Sequence, residues 1–549
     1  MLSRVARRCA ITALAAAALA LAACASAPPS RPAGWSAPEV VVAPSSFTGV
    51  HGLAVDAKGR LLAGSVVGYS MWEVDRASGA AKVMIGAPEG QADDIAIGPN
   101  GELAWTNYLM GMLRYRASDS APMQVLAKDL PGLNSLDFDR KNGKLYASQV
   151  FLGDALWEID VAGVKPPRLI VKDMGGFNGF EVGPDGMLYG PLWFKGQVVK
   201  IDPASGAITV INREFKIPAA ANLDGKGNLW VVDTATGELS KVELASGRKT
   251  VMKQLQPSLD NLAIAPDGTI YVSNMANNQI EAYTPATGAV RTLTSGKVAV
   301  PAGLKVDGNT LWVADIFGFR EVDLASGAVK DVYRMHATDS QMEYPFAVGL
   351  SSRQFTLASW FTGSVQVLDR ATKKTIAMIH GLKAPYDALP MEDGSVIYAE
   401  IATGTITRAS GDEYKTTKVV ADRLAGPVQM TLGRDGALYV TEAAGKLTRI
   451  DLASGAKTEV AAGLALPEGV AQTPWGSFIV AEAAAGKLTE IDPVANTRRT
   501  VAANLPIGLA SGPGMPPPYV VTGVAVGADG SVYFSANKNN AIYRVRPQR

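Results

Sequence analysis

The sequence predicts an all-β chain of two tandem six-bladed β-propellers, made of twelve four-stranded repeats of about 42 residues. Three observations carry this. One pattern returns twelve times in the 549 residues: a short apolar run, an Asp-Gly or Asn-Gly turn, an aliphatic-aromatic run and an Ala-Ser-Gly turn. Anchored at Gly52, its equivalent positions are Asp94, Ser135, Gly179, Ala220, Asn261, Gly303, Phe346, Asp387, Gln429, Gly469 and Gly523, spaced 40 to 44 residues apart except for a last interval of 54. Propellers hold four to eight blades, so twelve repeats divide into two rings of six rather than one wide ring.

Within a repeat the punctuation defines the strands. In "IAPDGTIYVSN" the pair Asp267-Gly268 separates two apolar runs and supplies the positive backbone angles of a tight hairpin. Asp185-Gly186, Asn100-Gly101, Asn142-Gly143, Asp393-Gly394, Asp435-Gly436 and Asp529-Gly530 repeat it. A second turn recurs at Gly79, Gly206, Gly247, Gly288, Gly327 and Gly455. Each repeat therefore reads strand a, turn, b, loop, c, turn, d. The last repeat ends after its c strand, and the one unassigned strand-like run is Glu39 to Ala43. An open sheet edge needs a partner, so this run is expected to supply the missing outer strand of the final blade. The alternative, that it completes the first ring, stays open.

The start of the chain reads as a targeting segment. Arg4, Arg7 and Arg8 precede an apolar stretch from Ile11 to Ala23, shorter than the roughly 20 residues a helix needs to span a bilayer. It ends in Leu21-Ala22-Ala23-Cys24, which resembles a bacterial lipobox and implies cleavage before Cys24 and lipidation of its thiol. By the same resemblance, Ala25 after the cysteine favours the outer membrane, facing the periplasm. The expected organisation is a lipoprotein signal peptide over 1–23, lipidated Cys24 and an Ala/Ser/Pro-rich tether over 24–38, a first propeller over 39–299 and a second over 300–549. The other cysteine, Cys9, lies in the signal segment, so the exported domain carries no disulfide.

Composition removes several function classes. A net charge of +1 with dispersed charges gives no field for nucleic acid. No GxSxG, HExxH, GxxxxGK(S/T) or GxGxxG motif occurs, so no nucleotide or flavin is expected as cofactor.

The candidate functional residues lie where strand a begins and strand b ends, because both positions fall on one face around the central tunnel. In the first ring strand a is led in by His51, Asp93, Asn134, Asn178, Ala219 and Asp260, and strand b is led out by Ser65, Asn107, Gln149, Leu192, Asp233 and Asn274. Oxygen-rich side chains converging on one axis suit a hard cation such as Ca²⁺ or another divalent ion. His51, Asp93, Asn134, Asn178 and Asp260 are the candidate metal ligands, and Asn107, Asp233 and Asn274 candidate ligand-binding residues. The other reading is a solvated polar lining.

The second ring is led in by Ala302, Pro345, Tyr386, Val428, Glu468 and Thr522, and led out by Asp315, Ser359, Glu400, Glu442, Glu482 and Ala536. Clustered carboxylates hold a cation or ammonium ligand, or do acid/base work. Asp315, Glu400 and Glu468 are therefore candidate ligand-binding residues. His336 and His380, in loops expected to open onto this face, join Glu442 and Glu482 as candidate catalytic residues. A solvated acidic rim is the alternative. Tyr108, Phe151, Trp193 and Trp360 are candidates for a ligand platform against which Trp35 docks, or for packing between blades. The Pro/Gly-rich insertion from Leu505 to Tyr519 is expected to form an ordered cover or contact surface beside the final blade.

The segments "ALYVTEAAGKLTRID" and "FIVAEAAAGKLTEID" resemble blades of streptogramin lyases and related NHL-type propellers. "PEGVAQTPWG" around Glu468, with Asn134, Asn178 and Asp260, resembles the senescence-marker and gluconolactonase family, and implies a divalent cation held by one Glu, one Asn and one Asp. The lyase pattern needs His leading into a blade whose strand b ends in Glu. Glu442 and Glu482 match the Glu, while Val428 and Glu468 stand at the His position. His51 matches the His, but Ser65 stands at its Glu position. The lactonase trio falls in two rings, Glu468 in the second and the Asn and Asp candidates in the first. The expectations are a lipid-anchored platform binding a small molecule or cation, a metal-dependent lactonase or lyase, or an envelope protein-interaction module. Whether the chain is an enzyme stays open.

Overall fold

The computed structural model describes residues 29–548. Twelve four-stranded antiparallel sheets account for nearly all of its regular structure. Blades 1 to 6 span 50–85, 95–127, 133–172, 181–212, 218–254 and 259–294. Blades 7 to 11 span 301–334, 347–379, 385–421, 427–462 and 467–502. Blade 12 takes its first three strands from 524–545 and its fourth from Glu39–Val42, paired with Ala541–Val545 in the register Glu39 to Arg544 and Val42 to Ile542. The N-terminal strand closes the final blade, as its edge required.

Blade 1 lies beside blade 6 and blade 12 beside blade 7, so each set of six closes on itself. The two closures differ. In the first ring every blade is continuous in sequence, and blades 1 and 6 meet through side chains: Phe47, Leu53 and Leu61 pack with Ala263, Tyr271 and Ile280. Ser273 Oγ donates to the His51 carbonyl at 2.6 Å and Arg76 Nε to Tyr271 at 2.7 Å. The second ring is sealed by a shared strand, and Val42 at that seam is buried with Leu304, Val313 and Ile542.

The rings are locked together around Arg320, which is fully buried. Its Nε lies 3.1 Å from Asp315, and its other nitrogens pair with Asp331 and donate to the Ala276 carbonyl of the first ring. Arg334 donates from Nε to Pro257 O at 3.0 Å and from Nη2 to Asn274 Oδ1 at 2.8 Å. A buried apolar cluster runs across the same junction, including Tyr69, Met275, Phe317, Met335 and Tyr519. Phe317 rests on Gly49, where φ is +74° and a Cβ would stand 2.5 Å from the ring. Only glycine permits both that backbone angle and that approach.

The stretch expected to be a tether is fastened from Arg31 onward. Arg31 pairs with Glu490 at 2.9 Å, Arg499 donates to Pro32 O at 2.8 Å, and Gly34–Trp35 forms a short ribbon with Pro547–Gln548. Trp35 packs on Trp475 with ring centroids 5.8 Å apart, away from the aromatic platform it was expected to meet. The signal segment and Cys24 lie outside the described residues. Among the described residues no helix is long and apolar enough to cross a membrane.

Candidate functional site

The residues that end strand b hold loops. Asp233 accepts from Lys216 N at 2.7 Å, Asp315 from Ala299 N and Val300 N at 2.8 and 2.7 Å, Glu400 from Lys383 N at 2.6 Å, Glu442 from Ala425 N at 2.5 Å and Glu482 from Ala465 N at 2.8 Å. Asn274 and Asn107 do the reverse, donating to the carbonyls of Gln256 and Pro257, and of Pro88. The loop entering strand a has backbone groups with no strand partner, and the neighbouring strand end supplies one. Thr448 and Thr489 hydroxyls take the remaining oxygens of Glu442 and Glu482. These carboxylates are engaged locally rather than turned toward a shared ligand.

A second set of buried carboxylates staples neighbouring a strands. Asp94 accepts from Leu136 N at 3.3 Å, Asp137 from Val182 N at 2.8 Å, Asp387 from Met430 N at 2.8 Å and Glu468 from Thr522 N at 2.5 Å, each reaching into the next blade. Burial lifts Asp94 and Glu468 to about 7 despite those bonds.

The four residues picked for catalysis do not hydrogen-bond to one another. His380 is exposed and lies 3.0 Å from Glu343. His336 is drawn into a different place, a cavity between the two rings.

That cavity is lined by side chains of both rings. First-ring residues His51, Asp93, Asn134, Asn178 and Asp260 form its floor; Tyr108, Phe151 and Trp193 rise beside them, and second-ring Phe317, His336, Tyr344, Trp360, Phe361 and Tyr519 roof it. All five metal-ligand candidates and all four platform aromatics therefore meet in one space. Inside it, the centre of a water molecule can reach about 90 Å³. Met515 and Tyr519 bring the Leu505–Tyr519 insertion over it, with the Tyr519 carbonyl accepting from Trp360 Nε1 at 3.2 Å. Phe151 is 40% exposed and packs edge-on to Phe194, marking an apolar rim.

Electrostatically the floor is unusual. Every other buried carboxylate among the described residues accepts from a backbone N–H or an arginine, whereas Asp93, 8% exposed, accepts from neither. The neighbour it meets is the Asn134 amide, and burial, with Asp260 and Asp94 nearby, holds its carboxyl well above the usual range. Asp260 is also raised by burial, with His51 pulling it back. His51 Nδ1 donates to Gly49 O at 2.9 Å. Burial, with His51 close, brings His336 down to about 4, so it is neutral at physiological pH. Its Nε2 lies 3.3 Å from the Tyr344 hydroxyl.

The floor does not fit the divalent cation that the family resemblance implies. Ca²⁺ takes six to eight oxygens, yet among the described residues no three His, Cys, Asp or Glu gather as a ligand set. Asn178 Oδ1 accepts from Ser135 Oγ and Gly179 N, both at 3.1 Å, and Asn134 Oδ1 from Ser135 Oγ at 2.9 Å. The amide oxygens a hard cation needs are turned into the fold.

Sequence reasoning reached part of the roof, through Trp360, His336 and the Leu505–Tyr519 cover, and missed the rest. Phe317, Tyr344, Phe361 and Met515 enter only because the second ring covers the first. Tyr344 shares the loop of His336, and Met515 lies in the Leu505–Tyr519 insertion; Phe317 and Phe361 carried no signal in the sequence.

No protein-family model matches the chain, and no curated protein matches its sequence. Among solved structures it is similar to a streptogramin B lyase, at 18% identity and TM-score 0.26 over 60% of this chain and 93% of that one. It is also similar to virginiamycin B lyase from Staphylococcus aureus, at 16% identity and TM-score 0.26 over 60% and 94%. An extracellular domain from B. thetaiotaomicron is similar at 11% identity and TM-score 0.35 over 93% and 78%. Likeness at this level assigns no activity. The chain is a twin β-propeller.

Proposed function

We propose that the twin propeller is a binding protein whose site is the cavity between its rings, taking a small molecule with an apolar or aromatic body. One observation carries this: both rings contribute side chains to a single concave cavity, aromatic at the walls with a few polar groups placed at the floor. Sites between domains with a few placed polar groups are the common form of such pockets. Native mass spectrometry of the whole chain against a small-molecule pool tests it. A retained ligand that is lost in Leu109→Trp, which fills the cavity, is the expected result. Hydrolysis of a lactone and ester panel that disappears on chelation would replace this reading with the metal-dependent hydrolase.

The repeat pattern favours kinship with NHL-type and gluconolactonase-like propellers, and the leader supports export and lipidation at Cys24. With the chain fastened from Arg31, a lipid on Cys24 would hold the second ring within a few residues of the membrane. Cys24→Ser is expected to move the protein from the membrane fraction to the soluble periplasm.

A further inference from the structure

We infer that the ligand of this cavity carries an ammonium or similar organic cation, seated between Asp93 and Asp260 with its apolar body against the aromatic roof; this rests on the cavity being a binding site. The geometry supports it in three steps. Both carboxylates line the cavity. Asp93 is more than nine-tenths buried and receives neither a backbone N–H nor an arginine, although every other fully buried carboxylate among the described residues does. Among the described residues no lysine or arginine lines the space; of its two histidines, His51 draws Asp260 only partway back and spends its Nδ1 proton on Gly49, while half-buried His336 packs among Phe151, Trp193 and Tyr344.

A buried carboxylate met only by one neutral amide is costly, and a cation supplied from outside removes that cost at the moment of binding. The surroundings select which cation. A hard metal ion needs more oxygens than the floor turns toward it, whereas an ammonium needs only a few acceptors and gains from aromatic faces. Tyr108 and Tyr344 line the same cavity as Asp93 and supply aromatic rings to it. Asn134 and Asn178, held by Ser135 and Gly179, give the floor a fixed shape.

The test compares two probes of one shape, 2-phenylethylamine and 2-phenylethanol, by isothermal titration on the whole chain, with calcium chloride as a third titrant. The amine is expected to bind at least tenfold more tightly than the alcohol. Asp93→Asn and Asp260→Asn, which keep size and shape, are expected to bring the two probes within about twofold of each other. Equal binding of both probes by the unaltered chain overturns the cationic assignment and leaves the cavity reading standing. Binding of neither overturns both. Calcium binding that excludes the amine also overturns the assignment, in favour of a metal floor.

Discussion

The two rings use one repeat to opposite ends. At the tunnel mouth of the first, the residues leading into strand a are left facing a cavity, with Asp93 and Asp260 free of backbone partners. At the mouth of the second, Ala302, Tyr386 and Val428 are fully buried in the apolar cluster that includes Tyr519 and Val521, and Trp360 stacks on Tyr386. The second ring is a plug and a roof; the first is the cup beneath it. A propeller face is therefore not a site by inheritance. It becomes one where the carboxylates are left without structural work.

Four experiments break or sharpen that contrast. The largest effect is expected from removing residues up to Ala43, because blade 12 loses its outer strand and the second ring its seal. Two-state unfolding should give way to early loss of the second ring, followed by hydrogen exchange of blades 7 to 12 against blades 1 to 6.

Arg320→Ala comes next. It strands Asp315 in the junction and should cost about 3–5 kcal/mol in chemical denaturation. Loss of the cavity's ligand at temperatures where the first ring is still folded would show that the roof has lifted.

Glu468 gives the pH dependence. Its folded pKa, about 7 against an ordinary 4.5, means that the folded chain binds more protons than the unfolded one between those values. Its contribution to stability is present at low pH and is lost as pH rises toward 7, by up to about 3 kcal/mol. Glu468→Gln should flatten that part of the profile, matching the parent near pH 4.5 and exceeding it above pH 7 in urea titrations.

The smallest effects separate clamp from cup. Glu442→Ala, which frees Ala425 N and Thr448, should cost about 1–3 kcal/mol. Asp93→Asn should cost nothing, or stabilise by about 1 kcal/mol, because no bond is lost and a charge repulsion is removed. Parallel melts of the two variants check this, and equal losses would erase the distinction between the rings.

The repeat made the fold legible, down to the strand that closes blade 12, because turn residues and apolar runs are local signals. The floor was legible too, since His51, Asp93, Asn134, Asn178 and Asp260 share one repeat position and a ring brings such positions together. What the sequence could not separate was engaged from free. Glu442 and Asp93 both read as acids on a propeller face, and only the course of each neighbouring loop decides that one clamps Ala425 while the other is left bare. Nor could it show the whole roof, because Phe317 and Tyr344 reach the cavity through the docking of two rings, which no repeat encodes.

The shared strand of blade 12 also sets a timetable. Glu39–Val42 leaves the ribosome about 500 residues before its partner Ala541–Val545. The first ring is complete at Thr294, about 250 residues earlier, which at 5–20 residues per second is a delay of roughly 12–50 s. Throughout that interval three consecutive valines stand as a bare, aggregation-prone edge at the root of a finished ring. Biogenesis of this molecule thus has a vulnerable stage that belongs to neither ring alone, and a ribosome that stalls in the second half releases the first ring trailing an adhesive tail.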